Sequence, residues 1–244
     1  MRRLLSAIKT DVTVQVRNNL YAIGIGVGAL VAVVLSQLAS PEQLSLAVPT
    51  LMLLVVGGTT LLYVAGMILF EKDEGTLNAV IVSPLRPAEY LWSKIITLTA
   101  LATLESAVMI GGAMLIMSWS AEPAELTLPN IPILLIGIIA IGIIYTLIGV
   151  ILVVRYNQIT DFLMPMAAIA VILQLPFLYF LGIVEQPLLL IIPTSAPTVL
   201  MQGAYIQLEA WQWLYAIAYT GLLIIGLNIW ATRAFHTHII MKVG

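Results

Sequence analysis

Residues 131–154 read IPILLIGIIAIGIIYTLIGVILVV, 24 positions without a charged side chain, and Arg155 follows at once. As a helix rising about 1.5 Å per residue, such a run crosses the ~30 Å hydrocarbon core of a bilayer, which needs about 20 apolar residues. Five further segments meet the same standard: Leu20 to Leu38, Val48 to Phe70, Ser93 to Trp119, Phe162 to Gly182 and Trp211 to Ala231. Pro165 and Pro176 interrupt the fifth in chain order, where kinks are expected. The fold class predicted is an all-α integral membrane protein with six transmembrane helices, a single domain over residues 1–244.

Charge positions check the count. The ten Lys and Arg residues are Arg2, Arg3, Lys9, Arg17, Lys72, Arg86, Lys94, Arg155, Arg233 and Lys242, and all fall on one side of the six-span map. The opposite loops carry Glu42, Glu122, Glu125, Glu185 and Glu209. A missed or invented span would have scattered the cations. By the positive-inside rule, both termini and the 71–94 loop are expected in the cytoplasm.

Composition excludes the main rival classes. Of 244 residues, 61% are hydrophobic and 9% charged, against about 45–50% and 25% in a soluble domain. With a mean hydropathy of +1.07, the 10 basic and 12 acidic residues are too few to clothe a water-exposed surface. The chain has no cysteine, which excludes disulfides, thiolate metal sites and cysteine nucleophiles. A net charge of −2 leaves no basic footprint, so no nucleic-acid partner is expected. The first apolar segment is expected to be retained rather than cleaved, because the polar stretch before it is long and no small-residue cleavage site stands out.

Residues 1–19 are predicted to form an amphipathic helix lying on the inner leaflet. Leu4, Leu5, Ile8, Val12 and Val16 share one arc of a 3.6-residue period, with Ser6, Lys9, Thr13 and Arg17 mostly opposite. Val14 and Gln15 break the pattern, and a disordered basic tail is the alternative.

The loop at 71–92 is the most polar stretch: Glu71-Lys72-Asp73-Glu74-Gly75-Thr76-Leu77-Asn78-Ala79-Val80-Ile81-Val82-Ser83-Pro84-Leu85-Arg86-Pro87. An acidic-basic cluster and Gly-Thr precede a short apolar run. Pro84 and Pro87 then stop any helix, because a residue before proline avoids the α region. A helix of about two turns near 76–82 would present Leu77, Val80 and Ile81 as one ridge that wants a groove. The alternative is a solvated loop obeying the charge rule.

The pattern E-x-x-x-G-T-L, an apolar helix, S-P-L-R-P and then Tyr90-Leu91-Trp92-Ser93-Lys94 resembles the second-to-third-span loop of type-2 ATP-binding cassette exporter permeases. The resemblance covers the whole chain in span count, N-terminal helix and length, and is strongest to small drug-export permeases of the fluoroquinolone type. It implies a cytoplasmic coupling helix docked in an ATPase subunit. Glu71, Glu74, Gly75, Thr76, Leu77, Val80, Ile81, Pro84 and Lys94 would then be ATPase-coupling residues, with no catalytic role. The sequence contains no G-x-x-x-x-G-K-[ST], so ATP and Mg²⁺ would be bound by a separate ATPase chain. The resemblance further implies a non-enzymatic permease subunit in a prokaryotic plasma membrane. It would pair with itself or a similar permease chain and move an amphiphilic small molecule outward by alternating access.

Three smaller features complete the reading. The segment 183–210 is apolar but broken by Pro187, Pro193 and Pro197, and irregular backbone at membrane depth must be sheltered by protein or line a cavity. Two short re-entrant helices are predicted there, the alternative being an interfacial loop anchored by Tyr205, Trp211 and Trp213. Glu105, about 16 Å beyond Lys94 along a helix, lies near the bilayer midplane. A carboxyl at that depth must face the bundle interior or be protonated. It belongs either to the substrate pathway or to a hydrogen-bonded structural contact with Ser or Thr hydroxyls on other helices. Asp161 reads as a partner for the dipole at the start of the fifth helix.

Gly24 and Gly28, Gly111 and Gly112, and Gly137, Gly142 and Gly149 read as close helix packing, while His236 and His238 lack a third ligand for a metal site. Two other function classes remain open: an ion-coupled carrier using Glu105, and a membrane enzyme acting on lipid-linked substrates. The former would normally show more than one charged residue in its spans, the latter a cluster of nucleophile, base or metal ligands.

Overall fold

The computed structural model describes residues 2–38, 43–75, 85–120 and 128–240, and all regular structure among them is helical. Helix α1 (Arg2–Arg17) turns at Asn18 and Asn19 into α2 (Leu20–Leu38), the first span. Asn19 takes a left-handed φ of 58°, a conformation that asparagine accepts more readily than most residues. The second span comprises α3 (Leu44–Leu51), a π-helical turn (Met52–Val56) and α4 (Gly57–Asp73). The third is α5 (Pro87–Ser120) and the fourth α6 (Ile131–Val153). Helices α7 (Ile159–Gln174) and α8 (Pro176–Phe180) make the fifth. A 3-10 turn (Pro187–Ile191) and α9 (Ser195–Gln202) lead to the sixth, α10 (Ala210–Phe235), which ends in a π-helical turn at His236–Ile240.

Six helical stretches are long and apolar enough to cross a membrane, as the sequence predicts. Their limits differ where a helix outruns its apolar segment. The second span begins at Leu44 rather than Val48, the third at Pro87 rather than Ser93, and the sixth runs to Ile239 rather than Ala231. Local capping explains the early third start: proline is preset for a first helical turn, and Glu89 accepts a hydrogen bond from the Arg86 amide at 2.9 Å. Pro165 sits inside α7, whereas the fifth span divides at Leu175, just ahead of Pro176. Gly182, at φ +70°, ends that span.

The fourth span is the hub. Of its apolar window 78% is buried, against 22% for the first and fifth spans and 17% for the sixth. Around it the buried apolar side chains form two clusters. One, including Met52, Met109, Tyr145 and Met201, lies toward the end away from the termini; the other, including Leu69, Leu98, Val150 and Phe235, lies toward the basic end. Tyr90 and Phe235 stack there with ring centroids 5.1 Å apart, which brings the end of α10 beside the start of α5.

The first and third spans meet along Gly24, Gly28 and Ala32, spaced one turn apart. A Cβ on Gly28 would stand 2.8 Å from the Glu105 carbonyl oxygen, and one on Gly112 3.0 Å from Ala32 Cβ. Gly137, Gly142 and Gly149 face Met201, Thr99 and Val64, so these glycines are used inside the chain. Gly26 and Gly111 face open space.

Helix α1 departs from the two-faced helix that its sequence predicts. Leu5 and Val16 are exposed, as part of the apolar arc, but the buried side is formed by Asp11 and Gln15. Val14 packs into the apolar cluster at the basic end. The two residues that break the amphipathic pattern do so because a third face of α1 lies against α5.

In 183–210, the 3-10 turn and α9 follow in succession, and Ser195 to Met201 are all buried. Irregular carbonyls are met by side chains: Thr194 Oγ1 donates to Leu173 O at 2.5 Å and Ser195 Oγ to Leu189 O at 2.7 Å. The Tyr215 and Tyr219 hydroxyls donate to the Leu190 and Ile191 carbonyls. Trp213 covers Gly203, while Trp211 remains exposed.

The packing of the first span makes a direct prediction. Gly28→Ala meets a backbone atom that cannot swing aside, so it is expected to cost about 1–3 kcal/mol by overpacking. Gly26→Ala, two residues away in open space, is expected to be neutral or to raise the melting temperature. Thermal unfolding of both variants in mild detergent measures the difference.

Candidate functional site

The polar contacts at the basic end converge on the two helices that flank the 71–87 loop. Lys94, in α5, is wholly buried, with Nζ 2.6 Å from Asp11 Oδ1 of α1 and paired also with Glu71 Oε1 at the end of α4. The remaining carboxylate oxygens are occupied: Ser93 Oγ donates to Asp11 Oδ2 at 2.7 Å, and the Tyr90 hydroxyl to Glu71 Oε2 at 2.6 Å. The ammonium also stands 5.0 Å above the Tyr90 ring. Two carboxylates around one cation are tolerable in so enclosed a place because each is also hydrogen-bonded, and removing the cation would leave like charges unpaired.

Lys72, next to Glu71, extends the lattice. Its Nζ donates to Val154 O at 3.1 Å and Tyr156 O at 2.5 Å, placing a cation on the carbonyl end of the fourth span. Two neighbouring residues at the end of the second span thus bind it to α1, to the third span and to the fourth.

Of the residues assigned to coupling through the resemblance, Glu71 and Lys94 are brought together. Glu74 and Gly75 are exposed, and Gly75 closes α4 at φ +70°. Thr76, Leu77, Val80, Ile81 and Pro84, and with them the expected coupling helix, lie outside the described residues. Lys72, Tyr90 and Ser93 belong to the 71–94 motif but have no role of their own in the sequence reading, and Asp11 has none there; its signal is an acid within a basic, amphipathic segment.

At mid-span, Glu105 is 1% exposed. Thr59 Oγ1 lies 3.1 Å from its Oε1 and 3.0 Å from its Oε2, and the Tyr63 hydroxyl donates to Oε2 at 3.1 Å. Both partners belong to α4, and Gly24 of the first span closes the third side, where a Cβ would meet Tyr63 and Glu105 oxygens at 3.2 and 3.6 Å. The carboxyl therefore joins three spans at one level. Asp161 lies exposed in the first turn of α7, and His238 Nδ1 lies 3.0 Å from Ala234 O. Among the described residues no group of three or more His, Cys, Asp or Glu side chains is placed to hold a metal.

Six membrane-length helices, joined internally by buried ion pairs and hydroxyl contacts, define a multi-pass membrane protein. The chain belongs to the Fluoroquinolones export permease protein family, whose profile matches residues 2–243. It is 28% identical over 250 aligned positions to proteins named Fluoroquinolones export permease protein from two strains of Mycobacterium tuberculosis, covering 100% of this chain and 99% of theirs.

Replacing Lys94 alone tests the buried lattice. Lys94→Met is expected to destabilise the protein by about 3–5 kcal/mol, because two enclosed carboxylates lose their cation. Adding Asp11→Asn and Glu71→Gln is expected to recover most of that loss, since the amides still accept from Ser93 and Tyr90. Detergent melting curves of the single and triple variants provide the comparison.

Proposed function

We propose that this chain is the membrane subunit of an ATP-driven exporter that moves an amphiphilic drug, of the fluoroquinolone class, out of the cell. Two permease chains enclose the pathway, and separate cytoplasmic ATPase chains bind and hydrolyse ATP with Mg²⁺ and dock on the 71–87 loop. Family membership supports the cargo class, and the positions of Glu71 and Lys94 support the route of coupling.

The observation that carries the reading is the Asp11–Lys94–Glu71 lattice. A push on the loop reaches the membrane through the helix ends on either side of it. Those ends are locked to one another and to α1 by Lys94, and through Lys72 to the fourth span, so displacement of the loop moves them together. Lys94 acts in this scheme by positioning Glu71, its own side chain being enclosed, while Glu74 and Gly75 lie where a partner reaches them. Alternating access follows if this joined unit tilts against the peripheral spans.

Glu105 is a positioning residue in this reading. Its carboxyl is enclosed and hydrogen-bonded to two hydroxyls, an arrangement that fastens the second span to the third and suits a structural contact better than a cargo contact. Its partners, Thr59 and Tyr63, are hydroxyls rather than a second carboxylate, a histidine or a cation, which weighs against an ion-coupled relay. Glu105→Gln is expected to leave cargo preference unchanged and to lower thermal stability. A changed profile of exported compounds would return Glu105 to the pathway.

The function itself is tested by purifying the tagged chain from its native cell in mild detergent and identifying what accompanies it. A stoichiometric Walker-motif ATPase is expected, as is ATP-dependent fluoroquinolone movement when both are placed in liposomes. Replacing Gly75-Thr76-Leu77 with charged residues is expected to spare insertion but uncouple hydrolysis from export. Transport by the chain alone, without ATP, would overturn the proposal.

A further inference from the structure

The second span is one helix in outline and two in its hydrogen bonding. At Met52–Val56 the coil widens into a π-helical turn, in which i→i+5 bonding leaves carbonyls without their α-helical partners. Side chains from two other spans reach carbonyls of the turn. The Tyr145 hydroxyl of the fourth span donates to Leu53 O at 3.1 Å, and Gln174 Nε2 of the fifth donates to Leu54 O at 3.0 Å, which also accepts from the Gly57 amide.

Gly57 and Gly58 follow directly and make room for those two side chains. A Cβ on Gly57 would clash with Tyr145 Cζ, and one on Gly58 would stand 3.5 Å from Gln174 Nε2. The two sides of the turn have different neighbours. Helix α3 packs on α8 and α9 at the end away from the termini. Helix α4 packs on the third, fourth and fifth spans and ends in Glu71 and Lys72, bonded as described.

We propose that the π-helical turn Met52–Val56 is a joint at which the second span bends, with Gln174 and Tyr145 as the positioning residues that hold it in the present geometry. Bending an ordinary helix at mid-membrane would strand carbonyls where no water can replace the lost bonds. Here the carbonyls are already served by side chains, which follow or release them without breaking the ladder on either side. The outer piece, α3, shifts against α9 and the fourth span, which close packing at Gly137 and Met201 holds together; the inner piece, α4, stays with the Lys94 lattice. The joint rests on the transport reading only for what the bending serves.

The absence of cysteine allows the joint to be read with paired spin labels on the full chain in detergent, without nucleotide or partner. One pair, Leu46→Cys and Ile136→Cys, spans from the outer piece to the fourth helix at exposed positions. A second, Asp73→Cys and Arg155→Cys, spans from the inner piece to the turn that ends the same helix, also at exposed positions. In the Gln174→Leu, Tyr145→Phe background the outer pair is expected to lose its single distance and show two, with the inner pair unchanged. Gln174→Met alone keeps the volume, loses the donor and carries the same test if the double variant fails to fold. Both pairs shifting together, or neither shifting, would mean that the span is a rigid rod and would overturn the joint. Failure to find an ATPase partner would sink the transport reading and leave this outcome standing.

Discussion

Lipid offers no hydrogen bonds, and most of what is specific about this bundle follows from that constraint. Every carbonyl freed from a helical ladder and every charge drawn below the surface has to find its partner within the protein. The tyrosines of the sixth span serve the broken backbone at Leu190 and Ile191, and Tyr145 and Gln174 serve the widened turn of the second. Lys94 and its two carboxylates satisfy one another, with Ser93 and Tyr90 completing the shell. Such contacts are few, but each is fixed in direction, so they determine which helices are held together and at what level.

Apolar packing works differently. Lipid tails are as apolar as leucine, so spans gain little by hiding leucines from the membrane and are drawn together by close approach. The first span reaches the third because Gly24 and Gly28 bring its backbone against Leu101, Glu105 and Val108. The fourth span, faced by the second, third and sixth and by α9, is enclosed by the same means through Gly137, Gly142 and Gly149. The first, fifth and sixth spans stay at the periphery of the chain, with the smallest buried shares.

The polar contacts fall at three levels of the second span: Glu71 and Lys72 at its end, Thr59 and Tyr63 at Glu105, and the π-helical turn above them. Each level ties this span to a different set of neighbours. A displacement entering at Glu71 is therefore shared among α1, the third span and the fourth before it reaches the turn, and the transport and joint proposals both rest on this arrangement.

Span number, helical class and the segregation of cations were legible along the chain, because length, hydropathy and charge position are local properties that a bilayer reads directly. The ends of the spans were less so: Pro87 and Glu89 carry α5 beyond its apolar stretch by capping that hydropathy does not register. Glu105 stood out in the sequence as a buried charge, but its partners Thr59 and Tyr63 lie 46 and 42 positions away. Asp11 and Lys94, 83 positions apart, show no relation along the chain until α1 is laid against α5. The sequence by itself determined that this chain crosses a membrane six times, since lipid selects for local apolar length. Only the tertiary structure decided which polar side chains meet inside it, since that depends on directions and distances between helices far apart in the chain.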